Sequence, residues 1–147
     1  MPSYTIHVGD DAKLGERART VRRQVFVEEQ GVDEALEIDG RDADATHLLL
    51  TDGDTPVGTA RLRYPDPETV KIERVAVLSS RRGEGLGRRL MERAEAHARE
   101  SGATTAKLHG QQRVVPFYER LGYEPVGDPF EEAGIPHRAM VKQLASH

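Results

Sequence analysis

VKIERVAVLSSRRGEGLGRRLMERAEAHA, residues 70–98, is the stretch that decides the fold. Val70, Ile72, Val75, Val77 and Leu78 are apolar or β-branched, which predicts a strand buried on most of its surface. Arg81, Arg82, Gly83, Gly85 and Gly87 follow at once. Leu86, Leu90, Met91, Ala94 and Ala98 then recur at helical spacing, so the turn opens an amphipathic helix. Glycines let the backbone take positive φ and come close to a ligand, and a helix start presents unpaired N–H groups with partial positive charge. With two arginines beside it, such a turn is an anion site, and phosphate is its natural guest.

Spacing narrows the phosphate ligand. The loop of nucleotide hydrolases needs a lysine after its last glycine, and none follows here. A dinucleotide fingerprint needs Gly-x-Gly-x-x-Gly, whereas Gly83, Gly85 and Gly87 are one residue short of it. Arg82-x-x-Gly85-x-Gly87, between a Val-Ala-Val strand and a helix, resembles the pyrophosphate signature of the GNAT superfamily of acetyl-CoA-dependent N-acyltransferases. Val115-Pro116-Phe117-Tyr118-Glu119-Arg120-Leu121-Gly122-Tyr123 resembles that superfamily's later motif, a short helix with a Phe-Tyr pair ending at Gly-Phe/Tyr. Gln24 to Gln30, the Asp39-Gly40 turn, His47-Leu48-Leu49 and Gly134-Ile135-Pro136-His137 are similar to the ElaA-type branch.

Outward from the central stretch, Ser3–Val8 alternates as an opening strand, and Asp10 or Asp11 caps a helix with Leu14, Ala18, Val21 and Val25 on one stripe. The charges on its other face, Glu16, Arg17, Arg19, Arg22 and Arg23, read as a solvated surface. Gly31 stops that helix, and Asp33–Ala45 is acidic and irregular. Thr46–Thr51 and Pro56–Arg63 form a hairpin about Asp52-Gly53-Asp54. After the central helix, Thr104–His109 is a strand, Val114–Leu121 a short helix, and Pro136–Leu144 contains a last strand. This order, and the resemblance, imply one α/β domain over residues 1–147: a mixed, mostly antiparallel GNAT-like sheet with a central parallel pair and helices on both faces.

The 147 residues suffice for a core without staples, and no cysteine is present to make a disulfide or thiolate site. No metal site is expected either, since the six histidines lack ligand spacing. The 21 basic and 25 acidic residues give a net charge of −4, which argues against a nucleic-acid partner. No apolar run suggests a signal peptide or a membrane span, so a cytoplasmic protein with no membrane partner is expected. Exposed edge strands permit a homodimer without requiring one.

The resemblance implies acetyl-CoA as co-substrate and no metal. Arg82, Gly83, Gly85, Leu86 and Gly87 would hold its pyrophosphate, and Val75, Ala76 and Val77 would pair with the pantetheine as an added strand. The N–H of Val77 or of its neighbour would polarise the thioester carbonyl. Gln112 or Gln111 stands where many members have a cofactor-binding asparagine. Tyr118 is the candidate acid for the departing thiolate, with a packed core aromatic as its competing reading.

The base is open among several residues. Glu73 is the first choice, a lone carboxylate in an apolar strand that shares a face with Val75 because side chains alternate; facing the cleft, it would have its pKa raised by burial. Glu29, His109 and His137 are the other candidates near the acceptor. The expected acceptor is an amine, small or on a peptide, attacking directly in a ternary complex. Glu28, Glu29, Asp33 and Glu34 would favour a cationic one. The rival reading is a non-catalytic acyl-CoA-binding or regulatory module with the same cleft.

Overall fold

The computed structural model describes residues 1–144. Its strands are β1 (Tyr4–Gly9), β2 (Thr46–Asp52), β3 (Thr55–Asp66), β4 (Thr69–Val77), β5 (Thr105–Gln111), β6 (Glu124–Glu132) and β7 (Ile135–Gln143). The helices are α1 (Glu16–Arg22), α2 (Glu34–Glu37), α3 (Leu86–Glu100) and α4 (Val115–Arg120). One π-wound segment leads into α1 and another, Arg23–Glu29, continues it. Asp10 caps the lead-in, its carboxylate accepting from the Lys13 N–H at 3.1 Å.

The strands form one seven-stranded sheet in the order β1-β2-β3-β4-β5-β7-β6. Its pairs are antiparallel except β4 with β5, the central parallel pair expected from the sequence. β6 was not legible as a strand. EPVGDPFEE carries two prolines, and its pairing with β7 shifts register between Val126 and Phe130, so no period-two signal survives.

The two faces of the sheet are held differently. Under α3 and α4 lies the apolar core, in which Leu48, Leu50, Leu62, Ile72 and Leu108 meet Leu86, Leu90, Met91 and Ala94. Each fully buried Leu or Met there contributes about 1.5–3 kcal/mol. Under α1 the apolar cluster is small, Val21, Val25 and Ala76. Beside it that face buries charged side chains as well. Arg22, read from the sequence as part of a solvated surface, is fully buried: its Nε donates to Glu37 at 3.0 Å and its guanidinium meets Asp42 at 2.7 Å. Arg61, also buried, binds Asp39, Asp42 and Glu73. The acidic character of residues 33–45 has its cause here, for Glu37, Asp39 and Asp42 neutralise arginines projecting from α1 and the sheet.

Candidate functional site

β4 and β5 pair only over Thr69–Lys71 and Thr105–Lys107, and then separate. Beyond Ile72, β4 has no strand partner on its β5 side among the described residues, and a V-shaped cleft opens between the two. A bulge accompanies it. Thr59 pairs with Ala76 and Arg61 with Glu73, so β4 carries one extra residue opposite Ala60. Arg74, in the bulge, has φ 54°, a left-handed conformation that a residue with a β-carbon rarely adopts, and its Nε pairs with Glu37 at 2.6 Å.

The bulge corrects one expectation. Strict alternation would put Glu73 and Val75 on the same face, but Val75 and Val77 pack on the α3 side and Ala76 on the α1 side. Glu73 stays under α1 with Arg61, Arg63 and Lys71 at 3.1, 2.5 and 3.6 Å. Burial alone would push its carboxyl up, as expected from the sequence. Hydrogen bonding from Arg63 and the charges of Arg61, Arg63 and Lys71 outweigh it and bring the pKa down to about 2. A carboxylate held so firmly in its anionic form is a weak proton acceptor.

The glycine turn lies at the open end of β4. Gly83 and Gly85 have φ of 84° and 76°, and a β-carbon on either would meet nothing within 4 Å. Backbone conformation, not crowding, demands glycine there. Gly85 precedes α3 with no side-chain cap, and its carbonyl accepts from Arg89 N–H at 3.1 Å. The N–H groups of Leu86, Gly87 and Arg88 therefore lack helical partners and, with the helix dipole, suit an anion. Gly87 is different: a β-carbon there would touch the Phe117 ring at 3.4 Å.

Arg82 is already engaged. Its Nε donates to the Val77 carbonyl at 3.0 Å, and its two terminal nitrogens donate to Glu29 at 2.6 and 2.8 Å. The next residue, Gln30, accepts from Gln111 at 2.8 Å. The end of the first helix thus ties to both sides of the cleft. Of the two glutamines considered for the cofactor, Gln111 is occupied by this contact, whereas Gln112 is exposed. Leu78 N–H donates to Val57 O at 2.9 Å. On an extended strand the N–H of Val77 then points the opposite way, into the cleft.

Tyr118 stands on the α4 side of β5. It is buried, edge-on to Phe117 and Tyr123 at 5.1 and 6.1 Å, and its ring lies over Gly110. Burial pushes its phenol up to about 12. Among the described residues its hydroxyl has no hydrogen-bond partner. Tyr123 of the same motif is structural, donating to buried Glu95 at 2.8 Å, while Lys142 holds the other carboxylate oxygen at 2.8 Å.

His109 and His137 come together on β5 and β7 with two residues that sequence reasoning missed, Phe130 and Glu132 of β6. No signal marked them, because β6 itself was not visible as a strand. Glu29 faces Arg82 and not the histidines. Two surface hollows of about 280 Å³ lie elsewhere, one beside Arg88 and Arg120, the other over Glu16 and Glu34.

The fold that carries this site is shared with solved structures. Residues 10–144 match the family described as the Acetyltransferase (GNAT) domain. The chain belongs to the GNAT acetyltransferases. YjcF of Bacillus subtilis, described as an uncharacterised N-acetyltransferase, is 41% identical over 123 residues, 83% of this chain and 87% of YjcF. ElaA of Escherichia coli is 35% identical over 129 residues, 84% of each chain, and its crystal structure has a TM-score of 0.85 over 96% of this chain and 100% of ElaA. The similarity to ElaA expected from the sequence is therefore present. An acyl-CoA N-acyltransferase structure from Pseudomonas aeruginosa, 31% identical, has a TM-score of 0.83 over 95% of this chain and 99% of its own. The GNAT chain described here is thus an acyltransferase by family, with the fold class read from residues 70–98. No helix of the described residues is long and apolar enough to cross a membrane.

Proposed function

We infer that this GNAT chain transfers an acetyl group from acetyl-CoA to a primary amine, small or on a peptide, by direct attack in a ternary complex. One observation carries the reading: the turn Gly83–Gly87 and the ring of Tyr118 flank a single cleft, where β4 leaves β5. A thioester lying along β4 would have its pyrophosphate at the free N–H groups of α3 and its pantetheine beside Val75–Val77. The cleft-facing N–H of Val77 is suited to polarise the carbonyl. Tyr118, a phenol protonated at physiological pH and kept so by burial, has a proton for the departing thiolate. With no cysteine in the chain, an acyl-cysteine intermediate is ruled out, which favours direct transfer.

Calorimetric titration with acetyl-CoA, CoA and ATP tests the cofactor. Selective binding of the CoA species is expected, with loss in Gly85→Glu, which sets a carboxylate where the pyrophosphate lies. An amine panel followed by thiol release then identifies the acceptor. Folded protein that binds neither CoA species overturns the reading, whereas CoA binding without any transfer supports an acyl-CoA-binding module instead.

A further inference from the structure

His109 and Gly110 are consecutive on β5, beyond the last residue that pairs with β4. Gly110 carries the ring of Tyr118 on the α4 face. His109 therefore projects from the opposite face, the one shared with Glu73 and the end of the first helix. Its Nδ1 lies 2.9 Å from Oε1 of Glu132. A carboxylate only accepts, so in the neutral imidazole this contact places the hydrogen on Nδ1 and the lone pair on Nε2. Among the described residues nothing hydrogen-bonds to that Nε2, and 34% of the His109 side chain is exposed.

The surroundings fix the ring. Phe130 packs edge-on against it at 5.0 Å. His137 stacks on Phe130 at 6.1 Å, its Nδ1 donating to the Ile135 carbonyl at 2.7 Å. The Nε2 of His137 faces the second Glu132 oxygen at 3.8 Å. Lys107, two residues before His109 on the same face, is the remaining charged neighbour along β5. Glu73, across the cleft on β4, is bound to Arg61, Arg63 and Lys71. An oriented imidazole with an unengaged lone pair thus lies on the same sheet face as Glu73, whose carboxylate three cations occupy.

We propose that His109 is the catalytic base for the acceptor amine and that Glu132 is its positioning residue. The assignment rests on the transferase reading above. An ammonium acceptor gives one proton to Nε2 of His109, which passes it to solvent. The nitrogen lone pair then forms the N–C bond to the thioester carbonyl carbon. As the tetrahedral intermediate collapses, the C–S bonding pair leaves on sulfur, which takes the Tyr118 proton. The second proton lost from nitrogen restores the phenol through water. His109 and Gly110, the residue under the Tyr118 ring, are adjacent on β5 and face opposite sides, so the acceptor enters from the His109 side and CoA leaves on the Tyr118 side.

Two measurements on the full chain test this. Two-bond nitrogen–proton NMR of the CoA-bound protein reads the tautomer: Nδ1–H at His109 is expected, changing toward Nε2–H in Glu132→Ala, and an Nε2–H tautomer in the wild type overturns the proposal. Thiol release from acetyl-CoA is then followed with the alkyl amine found by the panel and with hydroxylamine, which needs no deprotonation at neutral pH. In His109→Gln, kcat is expected to fall by about 10²–10⁴ with the alkyl amine and far less with hydroxylamine, acetyl-CoA affinity being unchanged. Undiminished turnover in His109→Gln, or equal loss with both nucleophiles, overturns the base assignment and leaves the transferase reading intact. A wild type that binds acetyl-CoA yet acetylates no amine overturns both. Absence of CoA binding overturns the transferase reading at its first step, before His109 is reached.

Discussion

A β-carbon on Gly110 would lie 3.0 Å from Cδ2 of Tyr118, so the tyrosine ring occupies the space that any larger residue at 110 would need. Gly110→Ala must push the ring outward or bend β5, at a cost of about 1–3 kcal/mol in folding stability. It also moves the phenol from its place over the cleft. A misplacement of about 1 Å costs up to about 10²-fold in rate, and the smaller shift needed here costs a part of that. Gly110→Ala is therefore expected to lower kcat for thiol release while acetyl-CoA binds as before. Tyr118→Phe, which keeps the ring and removes the proton, is expected to lose about 10²–10⁴. Full kcat in Tyr118→Phe would show that the phenol is not the acid.

Glu29 and Arg82 give a prediction of opposite sign. The Arg82 guanidinium holds the Glu29 carboxyl below the usual carboxylate range, through hydrogen bonding and its charge. A pyrophosphate bound as proposed would compete with that carboxylate for Arg82. Glu29→Gln weakens the internal competitor, so CoA affinity is expected to rise. The pair is half exposed, and such pairs are worth about 0.2–1 kcal/mol, which limits the gain to about fivefold. Titration in low and high salt checks the cause, since the gain should shrink as ionic strength rises. Weaker CoA binding by Glu29→Gln would mean that Glu29 helps to shape the site.

The central unit was legible because local pattern and chemistry agree in it. β-branched residues of β4, positive-φ glycines and the apolar stripe of α3 lie within one continuous stretch. Tyr118 was found by its motif, and Gly110 beneath it only by structure. Pairing across distance was not legible. Arg22 looks like its exposed neighbours Arg17 and Arg23, because its partners Glu37 and Asp42 stand 15 and 20 positions away. The bulge at Arg74 was invisible for a different reason. Nothing in VKIERVAVL marks the extra residue, yet that residue moves Val75 to the face opposite Glu73. His109 was a candidate by type and by its place at the end of a strand, whereas its partner Glu132 lies 23 positions away on a strand with no alternating pattern.

The buried charge network makes the last prediction, which concerns acid. Glu73 has an ordinary pKa of 4.5 and a folded value of about 2. A carboxyl whose pKa is depressed on folding adds stability above its unfolded value and loses it as pH falls through the folded one. Glu73 thus contributes on the order of 3 kcal/mol at neutral pH, lost between about pH 4.5 and 2. Asp39, held well below its usual range despite burial by Arg61, Arg41 N–H and Arg74, adds in the same direction. Urea denaturation followed from pH 7 to 2 should show a plateau above about pH 5 and a steep decline below it. Glu73→Gln should be less stable at pH 7 and show a shallower decline. Arg22→Met removes the cation from buried Glu37 and Asp42 and should cost about 3–5 kcal/mol at pH 7. A Glu73→Gln protein with the wild-type pH profile would place the acid sensitivity in other carboxylates.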